Sequence, residues 1–151
     1  MSKGILVWPV LLLAACSEPE PLAPPFAGDW VSDKAGCGGP RIVIGKSGIA
    51  AAGMPIDGMT FTRSKVSANV AEVAMELSPA AKALYRSHAS GARKGEPDLA
   101  EMEVLATLVA SGPSIVPNNV LVRDKKTRQL SAVHPDILAI LRLKRCPPRP
   151  A

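Results

Sequence analysis

Polar and apolar positions alternate over short stretches through most of this chain, which is the period of strands with one wet face. Arg41–Ile44 and Ile49–Ala52 flank a glycine-bounded turn, Gly45–Gly48, and predict a β-hairpin. Asp57-Gly58 signals a second turn, followed by a strand over Met59–Val66. Val70–Leu77 then alternates, with Val73, Met75 and Leu77 on one face and Glu72, Ala74 and Glu76 on the other. Val120–Arg123 and Gln129–Val133 predict another hairpin around Asp124–Thr127. In the run Ile137–Cys146, Ile137, Ala139, Leu141 and Leu143 share one parity against Arg142 and Lys144. That pattern predicts a closing strand, and a helix over Asp136–Lys144 is the competing reading.

The middle of the chain changes period. Ser78-Pro79 pairs an N-cap residue with proline at the first helical position, opening a short helix through Leu84 and Tyr85. Ser87–Gly95 is small, polar and basic, as a loop would be. Asp98 and Glu101 have capping-box spacing, and Leu99, Met102, Leu105, Ala106 and Val109 follow at helical spacing until Gly112-Pro113. The expected fold is mainly β (α+β): a small antiparallel β-barrel or curled sheet with a mid-chain two-helix insert.

The chain's first residues carry a different signal. Lys3 precedes an apolar run of 11 residues, Ile5–Ala15, broken by Pro9 and ending in small side chains. This is the pattern of a secretory signal peptide, too short to span a bilayer, which needs ~20 apolar residues. Leu13-Ala14-Ala15-Cys16 resembles the lipobox of bacterial lipoproteins. The resemblance implies cleavage before Cys16, lipidation of its thiol, a palmitate-bearing N-terminus and a location at the periplasmic face of the cell envelope. In that family a serine after the cysteine, here Ser17, is compatible with sorting to the outer membrane. Four prolines in Ser17–Pro25 predict an extended tether. The expected organisation is residues 1–15 signal peptide, 16–25 lipidated cysteine and tether, 26–146 one globular domain, and 147–151 a proline-rich tail.

An exported chain meets an oxidising compartment, where the remaining pair, Cys37 and Cys146, is most simply a disulfide joining the start of the domain to its end. Without Lys3, 17 basic residues face 13 acids, and the excess is local. From Arg123 to Arg149 eight basic residues meet two acids, leaving the rest of the mature chain at −2. Arg123, Lys125, Lys126, Arg128, Arg142, Lys144 and Arg145 are thus candidates for a basic face toward an anionic envelope component or an acidic protein. Four aromatic side chains, Phe26, Trp30, Phe61 and Tyr85, make a poor platform for stacking single-stranded nucleic acid.

Gly28-Asp29-Trp30, with a basic strand closing the domain, resembles the G-x-W and closing arginine of lipocalin-type barrels. The resemblance implies a closed antiparallel barrel with Trp30 under Arg145 or Arg142; its scarce aromatics and mid-chain helices depart from that family.

The motifs that suggest catalysis fail on their own terms. Gly45-Lys46-Ser47 ends like a phosphate-binding loop, but the glycine required five residues earlier is Pro40. No serine is followed three residues later by lysine, and no G-x-S-x-G elbow occurs. His88 and His134 are the only histidines, too few beside the cysteines for a metal site. The expectation is a membrane-anchored, non-catalytic binding or structural module without catalytic residues, cofactor or metal. A small periplasmic hydrolase using His88 or His134 as base is the alternative.

Overall fold

The computed structural model describes residues 18–51, 58–88 and 98–147. The expected signal peptide, Cys16, Ser17, Asp57, most of the Ser87–Gly95 loop and residues 148–151 lie outside them.

The described residues form a closed antiparallel barrel. Its strands are β1 (Gly28–Ser32), β2 (Arg41–Ile44), β3 (Gly48–Ala51), β4 (Met59–Ser67), β5 (Val70–Leu77), β6 (Met102–Ser111), β7 (Ser114–Asp124), β8 (Leu130–Ala132) and β9 (Leu143–Lys144). Each of β1 to β7 pairs with the next, and β9 bridges β7 back to β1, so eight strands close the ring. Closure leaves few unpaired strand edges, which a small sheet otherwise exposes.

β8 and β9 lie on the same edge of β7, both antiparallel to it. Leu130–Ala132 pair with Leu121–Arg123, and Leu143 and Lys144 pair with Ile115 and Ser114. Between them runs the short helix α2 (Pro135–Ile140). The closing wall is thus a strand interrupted by a helix. The expected continuous strand over Ile137–Cys146 is corrected accordingly: Pro135 and Asp136 suit a first helical turn, and the strand starts only at Leu143.

The two-helix insert is half correct. The helix α1 (Pro79–His88) forms where Ser78-Pro79 predicts it, with the Ser78 hydroxyl accepting from Ala81 N at 3.1 Å. The second helix does not form. Asp98 caps only one 3-10 turn, Leu99–Glu101, accepting from Ala100 N at 3.0 Å, and the chain then enters β6. Nearly every position in Met102–Ala110 is apolar, so helical and strand periods fit equally well. Pairing with β5 on one side and β7 on the other decides for the strand.

The barrel is filled by side chains. Trp30, Ile44, Phe61, Val73, Leu108, Ile115, Val120 and Leu143 are buried in one cluster, with Leu138 of α2 packed against it. Full burial of each such group stabilises by roughly 1.5–3 kcal/mol. One end of the barrel, here the lower, carries the β2–β3, β4–β5 and β6–β7 turns, and the upper end carries α1, the 3-10 turn and the β7–β8 turn.

Of the segment expected to be a tether, the described part, residues 18–25, instead packs against the domain. Leu22 is 1% exposed and packs in the core cluster with Phe26. β3 pairs with β4 only at Met59 and Thr60, leaving the rest of that β4 edge for another partner. Glu20 takes it: its carbonyl accepts from the Ser64 hydroxyl, and its carboxylate accepts from Val66 N at 3.0 Å. Leu22 N then donates to the Lys46 carbonyl at 3.3 Å. One apolar side chain among prolines is enough to dock this strap.

Candidate functional site

Chemistry-bearing side chains gather in three places: the lower closure, the upper rim and the outer wall between them.

At the lower closure, Trp30 is buried and its indole Nε1 donates to the Phe26 carbonyl at 2.8 Å. The Arg145 guanidinium lies 4.3 Å from the centre of the Trp30 ring and donates to the carbonyls of Pro25 and Ala27, each at 3.1 Å. Arg142 is not the stacking arginine. Gly28 has φ +132°, and a Cβ there would lie 2.9 Å from Arg145 Nη1. Glycine therefore lets the guanidinium close over the ring. Next to Arg145, Cys146 is bonded to Cys37, with the Cα atoms 5.6 Å apart. The bond holds the chain's end against the β1–β2 loop.

The upper rim is built from carboxylates between cations. Glu76 Oε2 accepts from Lys125 Nζ at 2.6 Å and from Lys82 Nζ at 3.0 Å. Burial alone pushes the Glu76 carboxyl up, but the two lysine hydrogen bonds and charges together outweigh it, so its pKa falls below the ordinary value. The Glu76 carboxylate in turn raises the pKa of Lys125. Glu103 is 7% exposed on the outer wall and pairs with Arg123, its cross-strand partner, while Arg63 lies 3.8 Å away and the Thr62 hydroxyl 3.0 Å away. Arg86 pairs with Glu101 at 3.2 Å.

The seven basic residues expected to form one face are divided. Arg123, Lys125, Lys144 and Arg145 are engaged with Glu103, Glu76, Asp33 and Trp30 respectively. Lys126, Arg128 and Arg142 have no ion-pair partner among the described residues. They are also separated: the β7–β8 turn stands at the end of β7 where Asp124 lies, whereas β9 pairs with its opposite end. At ~3.4 Å per residue, the length of β7 puts those places about 30 Å apart.

Lys126 and Arg128 remain together on the turn. Asp124 Oδ1 accepts from Lys126 N at 2.7 Å and Thr127 N at 3.0 Å, and the Asp124 carbonyl accepts from Arg128 N at 2.9 Å. These amides, Thr127 first and then Lys126, hold the Asp124 carboxyl below its ordinary pKa. Arg128 takes φ 63°, the left-handed position that ends the turn. Two exposed cations are thereby held on an ordered tip.

On the outer wall a depression of about 280 Å³ lies across β4 to β7, lined among others by Arg63, Lys65, Glu72, Thr107 and Asn119. Its charged rim was not anticipated from sequence, although the alternation had placed Glu72 outward. No protein-family model matches this chain, and no curated protein or solved structure is similar to it.

Among the described residues the histidines do not assemble a relay. His88 Nδ1 lies 2.9 Å from the Leu84 carbonyl and 3.1 Å from Ser87 Oγ, at the end of α1. His134 Nδ1 lies 3.3 Å from Asp136 at the start of α2, with both side chains largely exposed. The serine and the aspartate thus accompany different histidines. Among the described residues no cluster of three or more metal-ligating side chains occurs.

Proposed function

We propose that this chain is a lipid-anchored lipoprotein of the bacterial cell envelope, at the periplasmic face of the outer membrane. Its barrel acts as a non-catalytic binding module for an anionic partner. The lipobox ending at Cys16 supports the anchor. The observation that carries the binding role is the β7–β8 tip, where Lys126 and Arg128 are exposed, unpaired among the described residues and fixed by the Asp124 turn. A rigid tip loses little side-chain and loop freedom when it meets a negatively charged surface.

The anchor is tested by intact mass and detergent partitioning of the wild type against Cys16→Ala. The wild type should carry acyl mass and enter the detergent phase, and the variant should do neither. The tip is tested by retention of envelope components on a soluble chain beginning at Ser17, since one beginning at Phe26 would lose the buried Leu22. Retention should fall with salt and be lost in Lys126→Glu/Arg128→Glu. Lys125 is left intact because its reversal would also break the Glu76 pair. Retention indifferent to both salt and reversal removes the proposed tip.

A further inference from the structure

The docked strap constrains how an anchored barrel sits on its membrane. Building on the lipoprotein reading above, we propose that the strap Glu18–Pro25 clamps the lower end of the barrel against the phospholipid headgroups. The β4–β5 turn then faces the membrane and the β7–β8 tip faces away from it.

The argument is one of chain length. Were residues 16–25 a free spacer, Cys16 would hold the barrel at no particular distance or orientation. The chain is instead tied to the barrel at Glu20, through Ser64 and Val66, and again at Leu22, through Lys46. Four residue steps lead from Cys16 to Glu20. At full extension they span about 14 Å, which bounds how far that β4 edge can stand from an acylated Cys16. Val66 is one residue from the end of β4, and Ser67, Ala68 and Asn69 carry the chain into β5 at the lower end. The upper tip is ten residues of β7 away from the β6–β7 turn, which for a strand tilted by ~40° is about 25 Å of barrel height. A tether of this reach cannot bring both ends to the same surface.

Lys46, Arg63 and Lys65 are exposed around the docked strap, and the Glu20 carboxylate is turned onto the Val66 amide. Glu18, Glu20, Glu72, across from Lys65 in the β4–β5 register, and Glu103, 3.8 Å from Arg63, are the acids in the same neighbourhood, so there is no net cationic excess and the orientation rests on the reach of the strap. Lys46 and Lys65, which have no ion-pair partner among the described residues, can meet anionic headgroups within about a Debye length of the surface.

The test uses the full acylated protein in vesicles of phosphatidylethanolamine and phosphatidylglycerol that carry a nitroxide on a fraction of the headgroups. A fluorophore is placed at Ser67→Cys on the lower turn or at Thr127→Cys on the upper tip, both exposed positions. Quenching at residue 67 should exceed that at residue 127 by about threefold or more, given ~25 Å between the ends. Ten Gly/Ser residues inserted between Ser17 and Glu18 add a flexible reach of ~18 Å and should make the two positions nearly equal. Equal quenching in the uninserted protein overturns the orientation while leaving the lipoprotein reading intact. A difference that survives the insertion overturns the strap as its cause. A chain without acyl mass, and unbound to vesicles, overturns the lipoprotein reading and this inference with it.

Discussion

The two ends of the barrel are closed by different physics. At the lower end Trp30, Phe26 and Leu22 exclude water, Arg145 covers the indole, and a disulfide fixes the strand that carries the arginine. At the upper end the buried side chains of α1 and the 3-10 turn are the small Ala81 and Ala100. Ion pairs join α1, β5, the 3-10 turn, β6 and the β7–β8 turn, and of their carboxylates Glu103 alone is buried among the described residues. Apolar burial and a covalent bond are nearly indifferent to salt and mild acid, whereas partly exposed ion pairs respond to both. The barrel should therefore be robust at the end where the strap docks and adjustable where the basic tip projects.

Breaking the lower end should have the largest effects. Cys37→Ser/Cys146→Ser opens a loop with a sequence separation of 109 residues. The chain-entropy account gives about 4–5 kcal/mol for such a loop, to be read as a fall in the denaturant midpoint. Leu22→Ala should cost about 2–5 kcal/mol as a buried truncation, where a residue in a free spacer would cost nothing measurable. Gly28→Ala comes next, at about 1–3 kcal/mol, because its φ of +132° is open essentially to glycine alone. The guanidinium end of Arg145 can shift away from the added methyl, so the variant should also lose part of the ring contact, visible as a change in Trp30 fluorescence.

Where contacts are local, the sequence is a good guide to this fold. The β2–β3 and β7–β8 hairpins, the strands β4 and β5, and the cap at Ser78-Pro79 all rest on interactions within a few residues. The disulfide is expected from an even pair of cysteines, read with the oxidising compartment that the lipobox resemblance implies. Three features escape for physical reasons. β6 carries apolar side chains on both faces, with Leu105 and Val109 beside Glu103 and Thr107 on the outer one, so its period is ambiguous until its neighbours are known. The first half of β7 is hidden by Pro117 and by the bulge beside it, between the pairs Thr107–Asn119 and Leu108–Pro117. The strap is hidden because its prolines and acids look solvated, and the burial of Leu22 and the hydrogen bonds of Glu20 show otherwise. The division of the basic cluster is equally non-local: Glu76 and Lys125 are 49 residues apart, and Glu103 and Arg123 are 20 apart. Proximity along the chain had grouped cations that the barrel sends to opposite ends.

The smallest expected effect is the one that tests the contrast between the two ends most directly. Glu76→Gln removes a carboxylate shared by Lys82 and Lys125, and these side chains are 21% to 36% exposed. Solvent screening limits the loss to about 0.5–1 kcal/mol near neutral pH. The sign of its pH dependence follows from the shifts. The pKa of Glu76 is lowered on folding, so its contribution is present above the ordinary value of 4.5 and is lost as pH falls through the depressed value. The pKa of Lys125 is raised, so its share is present below the ordinary value of 10.5 and is lost as pH rises through the raised value. The stability difference between wild type and Glu76→Gln should therefore be flat across neutral pH, shrink toward zero in acid, and shrink again in strong base. Raised salt at neutral pH should reduce it too, while the deficit of the disulfide variant stays unchanged under the same salt. A Glu76→Gln deficit that persists in acid and high salt would mean that packing, rather than charge, holds the upper rim, and the distinction between the two ends would disappear.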